Sequence, residues 1–233
     1  MLLVIRSTLI MAVFVAVVSA SGSARCAGSD PFGQTSDVVN GSLLTKWRAT
    51  KKELARDHAL LSACSDSEAF GCETARQLRD IIEDAKAQQG LAIIGHINRA
   101  INFAIKPVSN GDWLAPLDAI SRGGDCKAYS IAKYFALREA GIAPDHLRLV
   151  AVHLNHGGRS ENHMVVATFW QDQWLILDNL TLALVPEALS EYVALQVFDD
   201  NGMRDYVAKT PAFNTTEPHP SVFGATRRGG SRW

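Results

Sequence analysis

A single cysteine stands where a nucleophile would be placed. In Gly123-Gly124-Asp125-Cys126-Lys127-Ala128-Tyr129, a glycine pair and a carboxylate lead into Cys126 at the expected start of a helix. The helical run continues through Leu137-Arg138-Glu139-Ala140 and stops at Gly141. The first turn of a helix presents unpaired N–H groups and the positive end of the dipole, which favour the thiolate, the reactive form of cysteine. His163 lies 37 residues on and opens the apolar run Met164-Val165-Val166-Ala167-Thr168-Phe169-Trp170. Asp178 follows after another 15 residues and closes the strand-like run Trp174-Leu175-Ile176-Leu177. Taken singly, each has a plainer reading: a small buried cysteine, a strand-edge histidine, an Asx turn. Together they supply a thiol nucleophile, a base and a carboxylate to orient that base, each at the end of an element. The Cys126 backbone N–H at the helix start would also help to hold an oxyanion.

The elements that must position these groups can be read from apolar spacing. Residues 28 to 41, rich in Gly, Ser, Asp and Pro, read as a flexible lead-in. A helix is expected from Ser42, with Leu43, Leu44, Trp47 and Leu54 at helical spacing. A second helix should follow Cys72, and a third should run from about Leu91 to Ala104. A loop from Pro107 to Pro116 and a short helical turn at Leu117 to Ile120 lead to the cysteine-bearing helix. Three strands are expected after it: Leu147 to Leu154, His163 to Trp170 and Trp174 to Leu177. Asn155 to Asn162 reads as a polar hairpin loop, and Gln171-Asp172-Gln173 as a tight turn. Beyond Pro186 come a short helix and an edge strand near Leu195 to Phe198. Helices first and antiparallel strands after suit an α+β chain with a papain-like or transglutaminase-like core, its sheet packed on the cysteine-bearing helix.

The chain has 233 residues, a formal net charge of −1 and a sequence pI of about 6.6, so nothing in its charge points to nucleic acid. Residues 1–27 read as an export signal, with Arg6 before the apolar stretch Leu9 to Val18 and small residues for cleavage between positions 20 and 27. Residues 28–210 form the expected domain, and 211–233, rich in Pro, Gly and Arg, read as a loose tail. Export implies a periplasmic or secreted location and an oxidising milieu, in which Cys64 and Cys72, eight residues apart, are expected to pair as a disulfide. Cys126 is then the free thiol of the domain. His153 and His156 invite a metal reading with His163, but no carboxylate or cysteine set completes a tetrahedral site.

The chemistry-bearing stretches also resemble a family. Gly124-Asp125-Cys126 with Tyr129, Ala132-Lys133-Tyr134, Leu137-Arg138, Gly141-Ile142, His163-Met164-Val165-Val166 and Leu177-Asp178-Asn179 are similar to the bacterial transglutaminase-like cysteine proteinases, the LapG-like periplasmic proteases. Ile97-Asn98-Arg99-Ala100-Ile101-Asn102 and Asp112-Trp113 extend the resemblance upstream, to roughly residues 43 to 200. It implies cleavage of peptide bonds in a protein or peptide substrate by Cys126, His163 and Asp178, and leaves room for a membrane-bound regulatory protein as a second partner. The family usually has Gly-Asp-Cys-Glu-Asp-Tyr, whose acidic residues help bind calcium in LapG-like members. Lys127 and Ala128 stand at those two positions here. Calcium draws its affinity from several oxygen ligands, carboxylates above all, so no metal and no other cofactor is expected.

Three functions stay open on the residues alone: an exported cysteine endopeptidase, an acyltransferase or amidase on the same fold, and an inactive module that binds a protein or peptide.

Overall fold

The computed structural model describes residues 29–64, 72–109, 111–156 and 159–207. The expected export signal and the tail lie outside the described residues. Five α-helices precede most of one seven-stranded antiparallel sheet: α1 (Ser42–Ala63), α2 (Glu73–Lys86), α3 (Leu91–Ala104), α4 (Pro116–Arg122) and α5 (Cys126–Glu139). The strands are β1 (Thr35–Asp37), β2 (Leu147–His156), β3 (Arg159–Trp170), β4 (Gln173–Leu177), β5 (Val185–Pro186), β6 (Val193–Asp199) and β7 (Gly202–Tyr206), in the spatial order β1-β7-β6-β2-β3-β4-β5. This is the α+β arrangement read from the sequence, helices first and an antiparallel sheet after.

Successive strand residues point to opposite faces of the sheet. Leu147, Leu149, Met164, Val166, Leu177 and Phe198 face the helices and join the larger core, together with Trp47, Leu78, Ile97 and Ile131. Val150, Val152, Val165, Ala167, Ile176 and Val197 form a second core on the other face, covered by Phe32, Tyr192, Ala194 and Tyr206. Ten of the 14 residues of α5 are buried, so this helix runs through the centre of the helical layer. Its contacts with β3, α3 and α4 fix the nucleophile's helix against the strand that carries His163. The helical readings at Ser42, Cys72 and Leu91 match α1, α2 and α3, and a disulfide joins Cys64 to Cys72 at the α1–α2 connection.

Three expectations are corrected. The lead-in at residues 29–41 is anchored: β1 pairs with β7, and the Asp30 carboxylate accepts hydrogen bonds from Arg148 and Arg204. The strand near Leu195 is interior, with β2 on one side and β7 on the other. The β2–β3 hairpin is longer than its polar residues suggested, because the ladder extends to His156 opposite Arg159. The Gln171-Asp172 turn is as read, with both residues at positive φ (45° and 64°), as a two-residue hairpin turn requires.

Candidate active site

The two glycines before Cys126 are demanded by their surroundings. Gly123 has φ +82°, and a Cβ there would lie 2.6 Å from the Lys106 carbonyl oxygen; a Cβ on Gly124 would lie 2.3 Å from the Ala128 Cβ. The close approach lets the Gly124 N–H donate to the Lys106 carbonyl at 2.9 Å, and the Val108 N–H to the Gly124 carbonyl at 3.0 Å. Tyr129 Oη donates to the Ile105 carbonyl at 2.7 Å. The first turn of α5 is thereby held to the 105–108 segment on two sides. Asp125 is the N-cap: its carboxylate accepts from the Lys127 N–H at 3.0 Å and also pairs with the Lys127 ammonium. Cys126 follows as the first helical residue, a partly exposed free thiol.

His163 comes to the same place from β3, where it pairs in register with Val152. Ser130, one turn beyond Cys126 on α5, donates to the Met164 carbonyl at 2.8 Å and ties the helix to the strand beside His163. Asp178 follows the last residue of β4, and its Oδ1 accepts from His163 Nε2 at 2.8 Å and from the Leu180 N–H at 3.1 Å. Cys126 stands close enough to His163 for hydrogen bonding and charge from it to favour the protonated imidazole. Burial works against a charged imidazole here, but hydrogen bonds and charge from Asp178 and Cys126 outweigh it and raise the His163 pKa from 6.5 to about 9. Burial would likewise raise the Asp178 pKa; the hydrogen bonds from His163 and Tyr192 reverse this and hold it low. The three residues singled out in the sequence thus meet at one point, drawn from a helix start, a strand and a strand end. Cysteine, imidazole and carboxylate in this order can activate a thiol for attack on a carbonyl carbon.

Three further residues serve the same point and were not read as site residues. Tyr192 Oη donates to Asp178 Oδ2, and its ring lies 6.2 Å from that of His163. A lone tyrosine ahead of a strand gives no sign of this, because only the fold of the 178–192 segment returns it to Asp178. Asn102 Nδ2 donates to the Asp178 and Thr181 carbonyls at 3.0 and 3.2 Å, and Asn98 Nδ2 to the Leu182 carbonyl at 3.2 Å. Asn98 and Asn102 sit one turn apart in α3, which is the spacing by which they could have been found. The other candidates fall elsewhere. His153 faces Asn162, and His156 has no described side chain. Among the described residues, no group of three or more His, Cys, Asp or Glu could hold a metal.

Comparison with known proteins bears on this geometry. The family described as bacterial transglutaminase-like cysteine proteinase (BTLCP) matches residues 56–207, most of the chain. The protein belongs to that family. It is a cysteine peptidase with a transglutaminase-like fold, and its substrate class is protein. Among solved structures, calcium-bound LapG of Legionella pneumophila superposes with a TM-score of 0.51 at 23% identity, over 66% of this chain and 88% of LapG. The EGTA-treated form of the same protein gives 0.52 at 22% identity, over 67% and 87%. These similarities concern the fold. No curated protein sequence matches the chain.

Proposed function

We propose that this member of the family is an exported cysteine endopeptidase, acting in the periplasm or outside the cell on another exported or surface protein, with Cys126, His163 and Asp178 as its catalytic triad. The observation that carries the reading is His163, hydrogen-bonded through Nε2 to Asp178 and close enough to Cys126 for the cysteine to favour its charged form. The high His163 pKa favours a thiolate–imidazolium pair at neutral pH. The thiolate attacks a peptide carbonyl, and the oxygen that gains charge is met by the N–H groups of the first turn of α5. His163 gives its proton to the departing amine, leaving an acyl-enzyme. His163 then takes a proton from water, which attacks the acyl carbon and releases the carboxylate product and the thiolate. Asp178 keeps the imidazole plane and tautomer fixed throughout, and Tyr192 and Asn102 keep Asp178 in place.

The residues beside Cys126 do not fit calcium. The Asp125 carboxylate is taken up by the Lys127 N–H and ammonium, and Ala128 offers a fully buried methyl. The ammonium serves as the internal cation that orders the loop. A cavity of about 180 Å³ beside Asp178, walled by Leu154, Ile176, Val185 and Tyr192 and rimmed by Thr181, Ser190 and Glu191, is a candidate pocket for a substrate side chain.

The experiment is iodoacetamide labelling of Cys126 in the wild type and in His163→Ala across pH. Near neutrality the variant should alkylate at least about tenfold more slowly, since thiolate rather than thiol reacts. Equal rates would show that His163 does not activate Cys126.

A further inference from the structure

Lys133 is a fully buried lysine whose ammonium has no place in the chemistry above. It has no measurable exposure, and its Nζ has no hydrogen-bond partner among the described residues. It lies seven residues after Cys126 and three after Ser130 in α5. Seven residues are nearly two helical turns, so Cys126, Ser130 and Lys133 share one stripe of the helix, with Lys133 about 10 Å along it from the cysteine. That stripe is the one Ser130 binds to β3 beside His163. A buried lysine normally finds a carboxylate or a set of acceptors, because an unpartnered polar group in the interior is costly.

The ionisable groups on the neighbouring elements largely have other partners. His163 binds Asp178, Asp118 and Arg122 of α4 bind each other, and Arg148 of β2 binds Asp30. His96 and Arg99 of α3, Arg79 and Asp80 of α2, and His153 of β2 are the other ionisable groups on those elements, and the Asp178 carboxylate favours the charged Lys133 amine.

We propose that Lys133 is a positioning residue of the triad: its ammonium, on the same stripe of α5 as Cys126 and in the field of Asp178, favours the cysteine thiolate on the acid side of neutrality. This rests on the triad reading above. Burial opposes the charged amine and lowers its pKa from 10.5 to about 7, with Asp178 acting in the opposite direction. The charge is therefore present in mildly acid solution and absent in mildly alkaline solution. A positive charge eases removal of the proton that separates the inactive thiol–imidazolium state from the reactive pair. It acts only on the acid limb of the reactivity profile, because Lys133 is neutral before His163 gives up its proton near pH 9.

The test compares iodoacetamide alkylation of Cys126 from acid to alkaline pH in the wild type, Lys133→Met and His163→Ala, with melting curves to confirm folding. Methionine keeps the length and the apolar stem of lysine. In Lys133→Met the acid limb should move to higher pH by about half to one unit, the effect of one charge near 10 Å at an effective dielectric of 20 to 40, while the alkaline limb stays in place. Superimposed acid limbs would overturn the proposal, and so would a parallel shift of both limbs, which is what loosened packing produces. If Lys133→Met does not fold, Lys133→Gln replaces it. A second measurement uses the wild type alone: with carbon-13 at lysine Cε, one lysine resonance should titrate near neutrality, and its absence would also overturn the proposal. Failure of the triad is a separate outcome, seen as identical profiles for the wild type and His163→Ala.

Discussion

Asp178 is the most heavily bonded atom group of the candidate site, and its neighbours decide how well His163 is held. Oδ1 accepts from His163 and Leu180, Oδ2 from the Tyr192 hydroxyl, and the backbone carbonyl from Asn102. Removing the Tyr192 hydroxyl leaves a buried carboxylate oxygen without its donor. Hydrogen bonds to charged groups contribute about 1.5–3 kcal/mol each, and part of that loss should fall on orientation of the imidazole. Tyr192→Phe should therefore lower peptidase kcat about tenfold, equivalent to about 1.4 kcal/mol, and leave KM nearly unchanged. Steady-state kinetics on any protein substrate the enzyme cleaves makes the check; an unchanged kcat would remove Tyr192 from the positioning set. The triad types were legible in the sequence because each residue ends a periodic run. Tyr192 was not, since its role arises from a loop that folds back on Asp178.

At the scale of elements, the loop that delivers Cys126 is fixed by backbone hydrogen bonds and an ion pair. Gly123 and Gly124 allow the backbone bridge to 106–108, and the Lys127–Asp125 pair closes the other side. An ion held by Asp125 would stand a few ångströms from the Lys127 ammonium. At an effective dielectric near 20, repulsion of a divalent ion at that range is on the order of several kcal/mol. Calcium should accordingly leave the melting temperature and the alkylation rate of chelator-treated protein unchanged, whereas a ligand that binds the folded state alone must raise its stability. A rise in melting temperature at micromolar calcium would contradict the loop assignment. This departure could be read directly from Lys127 and Ala128. The helices were equally legible, because α1 to α3 carry their apolar residues at helical spacing. β1 and β7 were not, because Thr35–Asp37 and Gly202–Tyr206 are short, largely polar and only partly buried, and pairing with each other and with β6 rather than local pattern makes them strands.

Across the whole molecule, one buried ionic cluster joins the start of the domain to its last strand. Asp30 accepts from Arg148 Nε at 2.7 Å, from Arg204 Nε at 2.8 Å and from Thr35 Oγ1 at 2.6 Å, and Arg204 reaches on to Asp199 at 2.8 Å. These contacts clamp the lead-in, β2, β6 and β7 together, and Arg148 also covers the Trp174 ring at 5.5 Å. The cluster lies toward the other end of the β2–β3 ladder from the triad: Arg148 pairs with Ala167, whereas His163 pairs with Val152. Burial alone would raise the Asp30 pKa, but hydrogen bonds from Arg204, Thr35 and Arg148 and the Arg204 charge lower it from 3.8 to about 2. A carboxylate with a depressed folded-state pKa adds stability that is present above its unfolded value, here 3.8, and lost as the pH falls through 2. Its titration accounts for about 2 kcal/mol at neutral pH. Asp30→Asn also leaves two buried guanidinium groups short of a partner, so the full loss at neutral pH should reach about 3 kcal/mol. Urea unfolding of both proteins between pH 2 and 7 would show the gap wide at neutral pH and narrowing below pH 4. Alkylation of Cys126 in the folded variant should match the wild type, because the cluster holds the sheet together without touching the site. A gap that persists undiminished at pH 2, or a slower Cys126, would show that Asp30 acts by another route.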